Sequence, residues 1–105
     1  MAIKRIIEGK IYNTETAHRI CTLECGFYPG DFGYHDTYLY RTKKGTYFIA
    51  GKGNAASMWS DRIGNGRWPG RGLRVIDAED ARSYAEAAHI DIDDMLAAGF
   101  EITEA

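Results

Sequence analysis

Four side chains in the first third of the chain are of the types that bind zinc: His18, Cys21, Cys25 and His35, spaced H-x2-C-x3-C-x9-H. A tetrahedral site needs four such nitrogen and sulfur ligands converging on one point. If residues 17–24 form a strand, Cys21 and Cys25 lie roughly 13 Å apart and share no metal without a bend. Two reduced thiols and two surface histidines are the plainer reading, so no metal ligand is assigned. Gly51-Lys52-Gly53-Asn54-Ala55-Ala56 follows a strand-like run and matches G-x-G-x-x-A, with Asp77 further on. That copies a dinucleotide-binding fingerprint. The fingerprint works through a long helix whose amino end meets the pyrophosphate. Gly64, Gly66 and Pro69 break any helix here early, and the preceding strand belongs to a hairpin. No cofactor is assigned.

Asp91, Asp93 and Asp94 lack the alternating acids, glycine and distal glutamate of a calcium loop. They sit where a helix begins, and capping with the helix dipole already accounts for them. Ser57, Ser60 and Ser83 lack a nucleophile elbow, and His18, His35 and His89 have no evident carboxylate partner. No catalytic residue is assigned, and the chain reads as non-enzymatic.

The segment from Trp59 to Arg74, WSDRIGNGRWPGRGLR, is the best functional candidate. It sets Arg62, Arg67, Arg71 and Arg74 against the single acid Asp61, with Trp59 and Trp68 interleaved. Arginine and tryptophan dominate protein-interface hot spots. They also suit nucleic acid, arginine on phosphates and tryptophan stacked on bases. The competing reading is that both tryptophans cap the core while the arginines are merely solvated. A second candidate surface is acidic. Residues 1–76 hold 12 Lys+Arg and 6 Asp+Glu, whereas residues 77–105 hold one arginine and nine acids. Glu79, Asp80, Glu86, Asp93 and Asp94 are therefore candidate partner contacts on an acidic face, against the plainer reading of a solvated helix.

These residues need elements to position them. At 105 residues, 45% hydrophobic and 27% charged, the chain predicts one folded domain over 1–105. No run of 18 apolar residues occurs, so no membrane span is expected. MAIKRIIEGK is too charged for a signal peptide, which predicts a cytoplasmic protein without a membrane partner. Glycine is in excess, with 12 in all and ten of them between Gly26 and Gly72.

Residues 3–12 read as one strand, or as two short strands turning at Glu8-Gly9. Asn13 to Thr16 is a turn. Residues 17–23 fit a helix or a strand; Ile20, Cys21 and Thr22 favour the strand, with Ala17, Arg19, Cys21 and Leu23 on one face. Residues 26–35 form a loop with four aromatics, either plugging the sheet edge through Phe27 and Phe32 or exposed for contact. Thr37–Arg41 and Thr46–Ala50 make a hairpin around Gly45. Residues 51–72 read as irregular with a possible short helix over Asn54–Ser60, and Leu73–Ile76 as a strand. A helix from Ala78 to Ala88 is capped by Asp77, and its stripe of Ala78, Ala81, Tyr84, Ala85 and Ala88 faces a sheet. A last helix over Ile92–Ala98 is capped by Asp91 and stopped by Gly99. The expected fold is α+β: a small antiparallel sheet of four to five strands with two short C-terminal helices packed on one side.

Lys10-Ile11-Tyr12-Asn13-Thr14-Glu15-Thr16-Ala17, Asp31-Phe32-Gly33-Tyr34 and Leu39-Tyr40-Arg41-Thr42-Lys43-Lys44-Gly45-Thr46-Tyr47-Phe48 together resemble a pattern in short bacterial proteins. Those proteins are carried by phages, plasmids and integrative elements. Ile76-Asp77-Ala78-Glu79-Asp80-Ala81 is similar too. Where that group has an acidic G-E-G-G type turn after the hairpin, this chain has Gly51-Lys52-Gly53-Asn54. The resemblance implies no catalytic residues. It implies a mobile-element accessory protein, a class that includes anti-CRISPR proteins. The expected function is binding and inhibition of a nucleic-acid-binding host defence complex by steric or charge occlusion. The alternative is direct nucleic-acid binding through residues 59–74.

Overall fold

The computed structural model describes residues 2–105. The N-terminal run is two strands, β1 (Lys4–Ile7) and β2 (Lys10–Asn13), paired antiparallel with Ile7 opposite Lys10. The two residues between them, Glu8 and Gly9, have φ of 51° and 77°. Positive φ at both positions is what a tight hairpin turn of matching twist requires, and glycine takes it without strain.

The main sheet has four antiparallel strands in the order β3-β4-β5-β8: β3 (His18–Thr22), β4 (His35–Arg41), β5 (Tyr47–Gly53) and β8 (Gly70–Ile76). Its centre is the expected β4–β5 hairpin. The turn closes through Thr42 N–H to Thr46 O at 2.8 Å and Thr46 N–H to Thr42 Oγ1 at 3.0 Å, with Gly45 at φ 93°. The segment after residue 17 is the strand and not the helix. Its register shifts between Arg19 and Cys21, however. A bulge inserts one unpaired residue and breaks the two-residue period. Ala17 and Leu23 consequently pack into different clusters, and the single face expected to carry both does not exist.

Residues 51–72 are more regular than expected: β5 continues through Gly51–Gly53, and Asn54–Ser60 is not a helix. It forms consecutive turns, Ser57 N–H to Asn54 O and Ser60 N–H to Ser57 O. Side chains explain the choice. Asn54 Nδ2 donates to Pro29 O and Asp31 O, and Ser57 Oγ accepts from Trp59 N–H. The local Ser57 bond offers the backbone an alternative to helix, and the Asn54 bonds tie the segment to the distant 29–31 turn. A second hairpin follows, β6 (Asp61–Ile63) with β7 (Gly66–Trp68). The last strand then begins at Gly70, three residues before the expected Leu73.

Both faces of the sheet are covered. On one, α1 (Ala78–Ala87) and α2 (Ile92–Ala97) pack with Leu39, Ile49 and Trp59. Asp77 and Asp91 cap these helices, their side chains accepting from the Asp80 and Asp94 amides at 2.8 Å. Ala81 and Ala85 are fully buried, so α1 lies close to the strands, while Ala78 stays exposed. On the other face the β1–β2 hairpin buries Ile3 and Tyr12 on Tyr40, Phe48 and Ala50. The Tyr40 and Phe48 rings stack at 5.0 Å, with Tyr12 meeting Phe48 edge-on at 5.7 Å. The fold is α+β, and no described helix is long and apolar enough to cross a membrane.

Candidate functional site

The two tryptophans of the arginine-rich segment part company. Trp59 is 6% exposed and belongs to the core under the helices. Its indole N–H donates to Thr37 Oγ1 at 2.7 Å, satisfying both buried groups. The ring lies over Gly72, where a Cβ would stand 2.9 Å from it, and Arg74 stacks on it at 5.7 Å. Gly72 is paired with Gly51 across the β5–β8 ladder. The glycines that imitate a dinucleotide fingerprint thus sit in strands, and at Gly72 the missing side chain makes room for an indole. Trp59 therefore leaves the set of partner contacts, and for it the core-capping alternative holds.

Trp68 is 55% exposed, on the β6–β7 hairpin. The register pairs Asp61 with Trp68, Arg62 with Arg67 and Ile63 with Gly66. Directly opposed residues share a face and successive ones alternate. The interleaved sequence is thereby sorted into two surfaces. One carries Ile63 (66% exposed) and Trp68 with the carboxylate of Asp61, the other Arg62 and Arg67. Two like charges directly opposed in a ladder repel. Among the described residues neither arginine closes an ion pair. The hairpin thus exposes apolar residues on one face and an unneutralised cation pair on the other.

Arg71 sits elsewhere. Across the sheet Asp36, Lys52 and Arg71 stand in one row, Asp36 opposite Lys52 and Lys52 opposite Arg71. With Arg5 from β1, Asp61 and Tyr34 they line an open groove of about 690 Å³ at the β6–β7 end of the sheet. Tyr34 O–H donates to Asp36 Oδ1 at 2.6 Å, a bond that pushes the Tyr34 phenol above its ordinary value. Asp36 and Lys52 come beside Arg71 through the strand register, and Arg5 through the packing of the β1–β2 hairpin on the sheet, so none of the three is marked in the sequence.

Glu79, Asp80, Glu86, Asp93 and Asp94 are all exposed on α1 and α2. They occupy the helical layer, across the sheet from the β1–β2 hairpin with its Lys4, Arg5 and Lys10. The aromatic loop is exposed as well: Phe27 at 54%, Tyr28 at 81% and Phe32 at 77%. Phe27 and Phe32 do not plug the sheet edge. The backbone turn is pinned instead, Asp31 Oδ2 accepting from Tyr28 N–H at 3.0 Å.

Among the described residues no three His, Cys, Asp or Glu side chains gather as a metal site. His35 Nδ1 meets Thr37 Oγ1 at 2.7 Å, so the same hydroxyl holds both His35 and the Trp59 indole. Cys21 is half-buried, and burial pushes its thiol up, which keeps it protonated and unreactive at neutral pH. No protein-family model matches the chain, and neither a curated protein nor a solved structure matches it.

Proposed function

We propose that this protein is a small non-enzymatic binding module that seats its β6–β7 hairpin on a protein partner and inhibits that partner by occlusion. The partner class is a nucleic-acid-binding host defence complex in the bacterial cytoplasm, which makes the protein anti-CRISPR-like. The hairpin carries the reading. Tryptophan and arginine exposed on a short hairpin are the residue types that concentrate binding energy at protein interfaces. The resemblance to mobile-element proteins supports the defence setting. The exposed acids of α1 and α2 support it too, since a protein surface that holds nucleic acid is cationic and attracts a layer of carboxylates.

Plating of a targeted phage on a host with active CRISPR defence tests this. Wild-type protein is expected to restore plating, and Ile63→Ser with Trp68→Ser to lose that effect while circular dichroism stays unchanged. Restoration by the folded double variant would remove the arm from the contact. Failure of the wild type against each defence type tried would remove the inhibitor reading.

Direct nucleic-acid binding by residues 59–74 is the second reading, favoured by the opposed Arg62–Arg67 pair. It requires binding that weakens steeply with salt and disappears in Arg62→Glu with Arg67→Glu.

A further inference from the structure

The end of the sheet away from the β6–β7 arm carries a second surface, of one charge sign. Two adjoining cavities, of about 610 Å³ and 340 Å³, share Thr16, Ala17, Thr42 and Lys43 in their walls. Their basic lining groups are Lys10, Lys43 and Lys44 in the first, and His18, Arg41 and Lys43 in the second. No Asp or Glu lines either one. In a chain whose formal net charge is −2, an extended groove free of carboxylates is a marked local departure.

Arg41 supplies the second observation. Its Nε is buried without a hydrogen-bond partner. The guanidinium lies over the Tyr47 ring at 5.7 Å. It fills a slot between two glycines: a Cβ at Gly99 would stand 2.6 Å from Arg41 Cζ, and one at Gly45 would stand 3.3 Å from a terminal nitrogen. The guanidinium lines the second cavity without a carboxylate beside it, and its terminal nitrogens remain charged donors for an incoming anion. Hydroxyl chemistry fits as well. Thr42 Oγ1 accepts from Thr46 N–H, which leaves its own proton for an acceptor in the groove.

We propose that this groove binds the phosphodiester backbone of a nucleic-acid strand. Adjoining cavities with repeated cations suit a ligand with repeated charges, whereas a single phosphate needs one closed cradle. Ile11, 65% exposed on the wall, offers apolar surface to sugar or base. The site is independent of the arm, and it places the nucleic acid held by a partner complex within reach of the same small protein.

Fluorescence anisotropy of labelled oligothymidylate, titrated with salt, tests the groove. Wild type is expected to bind at low salt and to lose affinity with a log–log slope of roughly −2 to −3, as several phosphate contacts require. Lys43 and Lys44 are exposed turn residues, so Lys43→Glu with Lys44→Glu leaves the fold intact. That variant is expected to bind at least ~10-fold more weakly and with a shallower slope. Arg62→Glu with Arg67→Glu, on the distant arm, is expected to bind as wild type. Absence of salt-sensitive binding would overturn the proposal, as would binding indifferent to the lysine variant. Polyglutamate competing as well as oligonucleotide would assign the groove to acidic protein instead. Binding of inorganic pyrophosphate without oligothymidylate would reduce it to a small-anion site.

Discussion

The bond between the Trp59 indole and Thr37 Oγ1 ties the loop after β5 to the middle of β4, across 22 positions of sequence. Removing the Thr37 hydroxyl leaves the buried indole N–H unsatisfied, which costs about 1–3 kcal/mol. Removing the indole leaves Thr37 Oγ1 with its contact to His35 and a void under the helices. Trp59→Phe and Thr37→Val are each expected to lose stability of that order in urea unfolding. Because they remove one bond between them, the double variant should lose clearly less than the sum. Strict additivity would show that the indole is held by packing alone. The same residue marks a limit of sequence reading. Trp59 stands among Met58, Ser60 and Asp61 and Trp68 among Arg67, Pro69 and Gly70, and neither setting by itself fixes a core anchor or a surface one. The separating facts are non-local: a threonine hydroxyl on another strand, and a glycine opposite a glycine in a ladder.

Strands and helices with local causes were legible before the structure. The Gly45 hairpin, the Asp77 and Asp91 caps and the Gly99 stop each depend on residues within a turn of one another, and each forms as expected. The β3 bulge and the β6–β7 hairpin depend on pairing. A bulge is written in the partner's register, and the strands on either side of the Gly64-Asn65 turn are only three residues long, too short to show a two-residue period. Gly99 offers a test at this scale. Its φ is 89°, its amide donates to Leu96 O, and its bare Cα abuts the Arg41 guanidinium. Gly99→Ala adds a left-handed penalty of roughly 1–2 kcal/mol and a clash with Arg41. The expected result is a Tm lower by about 4 °C or more in calorimetry. An unchanged Tm would mean that neither the conformation nor the contact matters to the end of α2.

Across the whole molecule, a near-neutral total conceals separated surfaces. The charge split was legible in the sequence because basic and acidic residues fall in different stretches of chain. Which cations share a groove was not, since Lys10 comes beside Lys43 only once the β1–β2 hairpin folds over the sheet, and Arg41 lies with Lys43 in the adjoining cavity. The protein is long and thin, 49 × 33 × 20 Å, with the arm at one end of the sheet and the basic groove at the other. Acids cover the helical side between them. Such a shape suits a wedge that touches protein with one end and leaves the other for nucleic acid. The central claim is that the arm makes the protein contact, and photo-crosslinking reads it directly. A photoreactive side chain placed at position 68, in cells with active CRISPR defence, is expected to yield one discrete adduct with a component of the defence complex. The same side chain at position 28, in the exposed aromatic loop, is expected to yield none. Adducts from position 28 equal to those from 68, or no adduct from 68 in cells where defence is inhibited, would contradict the account.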